Sequence, residues 1–402
     1  MNAPLTAAAT ETRFANVAAT IKTRIASIDI LRGCVMIVMA LDHVRDFFMA
    51  GDPNPVDLHT TTPILFFTRW ITHFCAPTFL FLSGISAYLS GQRKTKAELS
   101  VFLLKRGAWL IFLEVTVITL GWTFDTLYHV WIFQVIWAIG WSMIILGLLV
   151  RLSPAVTVGV GFILFFGHNL MDYVHASGTV VTLFVNSKGT FIPLADRRGI
   201  FDLYPVISWT GAMLLGYGAG KWYTASYPAG KRKKVLFWTG CGVIALFIVL
   251  RLVNGYGDPS PWIPQSSPLY TLFSFLNVTK YPCSLMYLCM TLGPALVFLS
   301  LTERTGGAVA RFVSVYGRVP FFYYVLHLYL IHFLCAVLFF ASGYGVKDIT
   351  SGRVFLFRPE QMGFSLLGVY GVWILVVGLL YFPCKWYDAY KKTHRQWWLS
   401  YL

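Results

Sequence analysis

Charge is scarce in this 402-residue chain. Asp, Glu, Lys and Arg make up only 12% of it, and 57% is hydrophobic, whereas soluble domains carry about 25% charged residues. That excludes a soluble globular enzyme. Acidic groups are the rarest, 17 against 32 Lys and Arg, for a net charge of +15. The basic residues sit in short loops between apolar runs, which excludes nucleic acid and points to anionic headgroups or to an anionic substrate on the cytoplasmic face. The seven cysteines (Cys34, Cys75, Cys241, Cys283, Cys289, Cys335 and Cys384) lie in or beside apolar runs with no CxxC, so no disulfide framework and no metal site is expected. Walker, GxGxxG, GxSxG and HExxH patterns are absent, which removes support for ATP-driven transport, dehydrogenase, serine hydrolase and zinc protease chemistry.

What is present is a series of apolar runs near 20 residues, the length that crosses about 30 Å of hydrocarbon. They fall at 28–49, 64–89, 101–122, 129–150, 154–174, 204–222, 235–254, 270–300, 318–340 and 364–384. The fold class expected is all-α: a polytopic membrane protein of about ten transmembrane helices. The eighth run contains Pro282 and Pro294 and is expected to be a kinked helix. With the N-terminus inside, the cytoplasmic loops and tails hold roughly three times as many Lys and Arg as the opposite loops, and an even span count puts both termini in the cytoplasm. Residues 1–26 are Ala/Thr-rich with no apolar core. They are expected to be a disordered cytoplasmic tail rather than a signal peptide. Residues 27–390 form the transmembrane domain, and 391–402 a basic cytoplasmic tail.

Ionisable groups at membrane depth cost at least ~2.5–3.5 kcal/mol each on insertion scales, so they mark function by default. The first run holds Asp42, His43, Arg45 and Asp46. Asp42 shares a helix face with Arg45 and Asp46, while His43 points about 100° away. Asp42 is expected to pair with Arg45 or with Arg69 of the second run, leaving His43 as a general base. A packed ion pair and a carbonyl-bonded histidine are the plainer role for the same residues. Pro77 is expected to kink the second run and free a carbonyl, and Ser83, Gly84 and Ser86 to pack helices closely. His59 lies in the first outer loop. Lys280 falls near mid-membrane and requires a carboxylate such as Asp42 or an anionic ligand. His327 is expected on the same wall. Arg32, Lys105, Arg106 and Arg318 sit just inside span ends, where snorkelling explains each and a joint hold on donor phosphates would explain all four. The long outer loop at 175–203 is a lid or a spacer.

Longer motifs carry a resemblance. Arg24-Ile-Ala-Ser27-Ile-Asp29-Ile-Leu-Arg32-Gly33, followed by Met39-Ala-Leu-Asp42-His43, resembles the opening helix of the heparan-alpha-glucosaminide N-acetyltransferase catalytic-domain family. Pro77-Thr-Phe-Leu-Phe-Leu-Ser-Gly84, Tyr204-Pro-Val-Ile-Ser-Trp209, Lys280-Tyr-Pro-Cys-Ser284 and Gly317-Arg-Val-Pro320 through His327 are similar too. The resemblance implies acetyl transfer from cytosolic acetyl-CoA, without a metal, to the amine of a terminal glucosamine on the far side. In lysosomal members a conserved Asn stands where His43 stands here, and His59 is the nearest counterpart of their loop histidine. The extra luminal domain of those members has no counterpart here, which favours a sugar or glycolipid of a bacterial cell envelope and a place in the inner membrane. The combined expectation is an N- or O-acetyltransferase with His43 and Asp42 as catalytic pair, His59 as competitor, Lys280 or Arg69 stabilising the oxyanion or the donor, and Arg32 and Arg318 toward the phosphates. A homodimer is compatible with the pattern. A secondary transporter using Asp42, His43 and Lys280 is the alternative.

Overall fold

The computed structural model describes residues 25–394 except 175–177, 195–197 and 350–353, together with 396 and 399. All but the last two residues of the expected N-terminal tail, and Asp196 of the outer loop, fall outside the described residues. The chain is mainly helical. α1 (Ala26–Phe48) stands inside the bundle, with α2 (Pro63–Thr72), α3 (Cys75–Gly91), α10 (Leu285–Leu301), α11 (Ala308–Arg318), α12 (Pro320–Ala341) and α13 (Leu366–Thr393) against it. α4 (Lys96–Leu113) packs on α5 (Val135–Leu149). α6 (Pro154–Gly167) packs on α7 (Val206–Ala219), which lies on α3, and α8 (Ala229–Val253) pairs with α10. A short α9 (Pro268–Leu276) precedes α10.

Small residues set the closest approaches. A side chain on Gly33 would meet the Val313 carbonyl, and one on Gly317 the Asp29 carbonyl, so α1 and α11 touch backbone to backbone. Gly84 and Gly216 do the same for α3 and α7. Such contacts bring helices together where lipid supplies no hydrophobic drive.

Five helical stretches among the described residues are long and apolar enough to cross a membrane: Pro63–Gly91, Pro154–Tyr173, Ala229–Val253, Pro320–Ala341 and Leu366–Thr393. Val135–Leu149 and Leu285–Leu301 are shorter and apolar.

The structure corrects the expected helices in three places. The second run is two helices, α2 and α3, parted at His73 and Phe74. Pro77 sits in the first turn of α3, where a missing N–H is tolerated. The carbonyl four residues before it, His73, accepts instead from the Tyr287 hydroxyl at 2.8 Å. The eighth run is broken rather than kinked, with 277–284 non-helical between α9 and α10. Asp258 organises that break. Its carboxylate accepts from the Thr279 N–H (2.8 Å), the Thr279 hydroxyl (2.8 Å) and the Ser284 hydroxyl (2.7 Å), while Ser284 caps α10. The buried Arg251 guanidinium donates to the carbonyls of Ser260, Ser274, Phe275 and Asn277.

The third correction is to the all-α reading. The fourth run opens as a strand, β1 (Val130–Phe133), a Val-Trp-Ile-Phe segment of β-branched and aromatic residues. The outer loop supplies β2 (Thr190–Pro193) and β3 (Gly199–Asp202), giving a sheet ordered β1-β3-β2 with β1 and β3 parallel and β2 and β3 antiparallel. Leu183 and Phe184 of the same loop pack against Phe133, Trp137 and Val206.

Asp202 ends β3 fully buried, outside the helical spans. Burial pushes its carboxyl up to about 7 from 3.8. The folded state therefore keeps a proton that the unfolded chain has already lost. The contribution of this group to stability is most favourable below pH 3.8 and declines as pH rises toward 7. Asp202→Asn is expected to raise the thermal midpoint at pH 8 by a few degrees and to leave it unchanged at pH 4. Equal shifts at both pH values would contradict the assignment.

Candidate functional site

The site is built on the second half of α1. Asp42 is 7% exposed and lies between two guanidinium groups. Arg45, one turn on, approaches to 2.9 Å, and Arg69 from α2 bonds its other oxygen. Arg45 also holds Asp46 at 2.6 Å. Two carboxylates and two guanidinium groups thus balance. Both partners expected for Asp42 are engaged at once, in an ion pair that joins two helices.

His43 faces elsewhere, as the 100° rotation requires. Its Nδ1 lies 2.7 Å from Nε2 of His327 on α12, and its ring meets Trp122 edge-on at 4.7 Å. Asp42, expected to aid His43, is taken up by arginines, and His327 is the group bonded to the imidazole. Lys280 lies in the helix break, with Nζ 5.0 Å from the Tyr281 ring centre. A non-helical backbone within a membrane protein is tolerated where it lines a cavity, and Lys280 of this segment does. Asp42, His43 and Lys280 line a common cavity of about 30 Å³ with Thr72, Gln134 and Tyr204.

Two further cavities follow toward the opposite end of α1. The nearer, about 110 Å³, shares Phe79 and Val135 with the first and is lined mostly by apolar groups such as Met36, Leu110 and Ile136, with Arg32 and Arg106 also on its wall. The farther, about 740 Å³, shares Arg32 and adds Arg93, Arg232, Tyr223 and Tyr227. Arg32 also donates to the Gly317 carbonyl (3.3 Å) and to Ser86 (3.2 Å).

The structure brings Asp42, His43, Arg69, Lys280 and His327 together, and sets Arg32 at the junction of the larger cavities. It does not bring in the others. Arg318 bonds Asp388 at 2.7 Å on α13. Lys105 points outward on α4. His59 is exposed in a turn whose N–H donates to Asp57 (3.0 Å), and that bond with the Thr60 hydroxyl holds the Asp57 carboxyl below its usual range. His332 bonds the Gly121 and Leu356 carbonyls.

Glu114 is a buried carboxylate beside the cavity that the sequence reading does not single out. Glu114 opens a π-helical turn, Glu114–Ile118, and accepts the Gln134 N–H at 2.5 Å, fixing the start of α5 beside the cavity. The signal was available, because Glu114 is a lone acid in an apolar run and the rule that singled out Asp42 applies equally. Among the described residues no group of three or more His, Cys, Asp and Glu could hold a metal ion.

The family model described as heparan-alpha-glucosaminide N-acetyltransferase, catalytic, matches residues 24–250, more than half of the chain. The chain belongs to that family. Membership makes it a transmembrane acetyltransferase by kind. The match spans α1, α2 and α3 and ends within α8, so Asp42, His43 and Arg69 lie inside it, and Lys280 and His327 beyond it. No curated protein matches the chain.

Breaking a buried ion pair by removing one partner costs about 3–5 kcal/mol. Arg69→Ala is expected to lower the thermal midpoint sharply, and Asp42→Asn with Arg69→Gln to recover much of the loss. A double variant as unstable as the sum of its singles would show that the two groups are not coupled.

Proposed function

We propose that the chain is an acyltransferase of the bacterial inner membrane, which moves an acetyl group from cytosolic acetyl-CoA to an amine or hydroxyl of a sugar or glycolipid on the extracytoplasmic side. The observation that carries this reading is the succession of three cavities with shared walls, from the arginine-lined end of α1 to His43. The large cavity has the size and chemistry for a nucleotide: Arg32, Arg93 and Arg232 for phosphates, Tyr223 and Tyr227 for a base. The narrow apolar cavity suits a pantetheine arm, and it delivers a thioester to the smallest cavity. There His43 takes the acceptor's proton, and Lys280, with Arg69 behind it, stabilises the oxyanion.

The reading includes a topology of ten membrane crossings with both termini in the cytoplasm. Residues 27–390 form the catalytic domain, and 1–26 and 391–402 form the tails. Lys/Arg bias supports it, and so does placing the arginine-lined cavity where acetyl-CoA is made. Arg318, expected toward the phosphates, lines none of the three cavities and is left out of this donor site.

The test is radiolabelled acetyl transfer by the purified protein to a panel of amino sugars and glycolipids. His43→Ala is expected to lower turnover at least about 100-fold with folding intact, and His59→Ala to leave it near wild type. Unchanged turnover in His43→Ala removes His43 from the mechanism. Wild-type protein that binds no acetyl-CoA overturns the whole reading and leaves the carrier alternative.

A further inference from the structure

The two imidazoles beside the cavity have different tasks. We infer that His327 is a positioning residue, which holds His43 in its Nδ1–H form and leaves His43 Nε2 as the basic nitrogen of the site. The inference deepens the acyl-transfer reading and rests on it only for its catalytic consequence.

A neutral imidazole has one N–H and one lone pair. His327 Nδ1 is 3.1 Å from the carbonyl oxygen of Tyr323, one turn back on α12. A carbonyl only accepts, so the His327 proton is on Nδ1 and its Nε2 carries the lone pair. That Nε2 is 2.7 Å from His43 Nδ1. With both rings neutral, one arrangement satisfies both contacts: His43 Nδ1–H donates to His327 Nε2, and the Tyr323 carbonyl accepts from His327 Nδ1–H. The lone pair of His43 is then on Nε2, on the far side of the ring from this bond.

Packing prevents the alternative. His327 has 0% exposure. Its ring stacks on Tyr323, with centres 5.2 Å apart and planes 3° from parallel, and meets Tyr324 edge-on at 5.5 Å. Turning the ring over would break both hydrogen bonds. Asp42 cannot take the same part, because Arg45 and Arg69 occupy its oxygens. A histidine does here what a carboxylate does in many acid–base sites: it fixes which nitrogen is free.

The consequence for catalysis is stepwise. As the acceptor's nitrogen or oxygen bonds to the acyl carbon, its proton moves to His43 Nε2. The positive charge is then shared through Nδ1–H with His327 Nε2. When the carbon–sulfur bond breaks, the thiolate of CoA leaves with the electron pair and takes the proton back from His43 Nε2. The products are acylated acceptor and CoA thiol, and both histidines return to their starting forms.

The experiment is ¹⁵N histidine spectroscopy of the full-length protein in detergent, with His43 assigned by its loss in His43→Gln. Couplings from the two ring nitrogens to the carbon-bound ring protons separate the two neutral forms. Wild-type His43 is expected in the Nδ1–H form, and His327→Leu should release it to the Nε2–H form. In turnover, His327→Leu is expected to lower kcat about 100-fold with the KM for acetyl-CoA nearly unchanged. His327→Gln, whose side-chain oxygen accepts the same N–H, should restore a substantial part of kcat. An Nε2–H His43 in the wild type overturns the inference even if His327→Leu fails to fold, and so does a loss equal in the Leu and Gln variants. An Nδ1–H His43 in a protein whose His43→Ala variant still transfers acetyl would instead overturn the catalytic role of His43 and leave the assignment standing.

Discussion

The bond between Asp42 and Arg69 is the constraint on which the rest of the site depends. A carboxylate inside a membrane bundle must be matched by charge at close range, and Asp42 is matched twice, by a guanidinium on its own helix and by one from α2. The second contact ties α2 to the middle of the molecule. Because Asp42 is satisfied on one face of α1, His43, one residue on, is directed to a different neighbour. The consequence is a division of labour on a single turn of helix, with structural charge on one side and a titratable ring on the other.

Around that turn the backbone is repeatedly interrupted. α2 gives way to α3 just before Pro77, α9 to α10 across the segment with Lys280, and α4 passes through a π-helical turn at Glu114. Interruptions of this kind are costly in hydrocarbon, because each frees backbone groups that lipid cannot satisfy. Here each has a named partner. The Tyr287 hydroxyl meets the His73 carbonyl, Asp258 and Arg251 hold the Lys280 segment, and the Thr119 hydroxyl donates to the Glu114 carbonyl. The polar groups that look superfluous in an apolar sequence are those that make irregular backbone affordable beside a cavity.

Much of this was legible beforehand. Asp42, His43 and Lys280 stood out because charge is rare in the runs that contain them, and the same reasoning covers Glu114, which was passed over. Helical spacing and the approach of a second run gave Arg45 or Arg69 as the partner of Asp42, and the structure engages both. The partnership of His43 with His327 did not, since those residues are far apart in sequence and only the packing of α12 on α1 brings them together. The sheet was illegible for a related reason: β1 borrows its partner from a distant loop, and the apolar run beginning at His129 reads equally well as helix or strand by composition. Arg318 and His59 lie apart from the three cavities, one in an ion pair with Asp388 and the other exposed in a turn, and neither setting could be read from position along the chain.

The most direct test of the central claim, that a donor reaches His43 from the arginine-lined end of α1, is an experimental structure of the detergent-solubilised protein with acetyl-CoA. The account predicts phosphates beside Arg32, Arg93 and Arg232, and the thioester between Phe79 and His43. Acetyl-CoA bound elsewhere, or a closed wall between Arg32 and His43 with the donor in place, would contradict it.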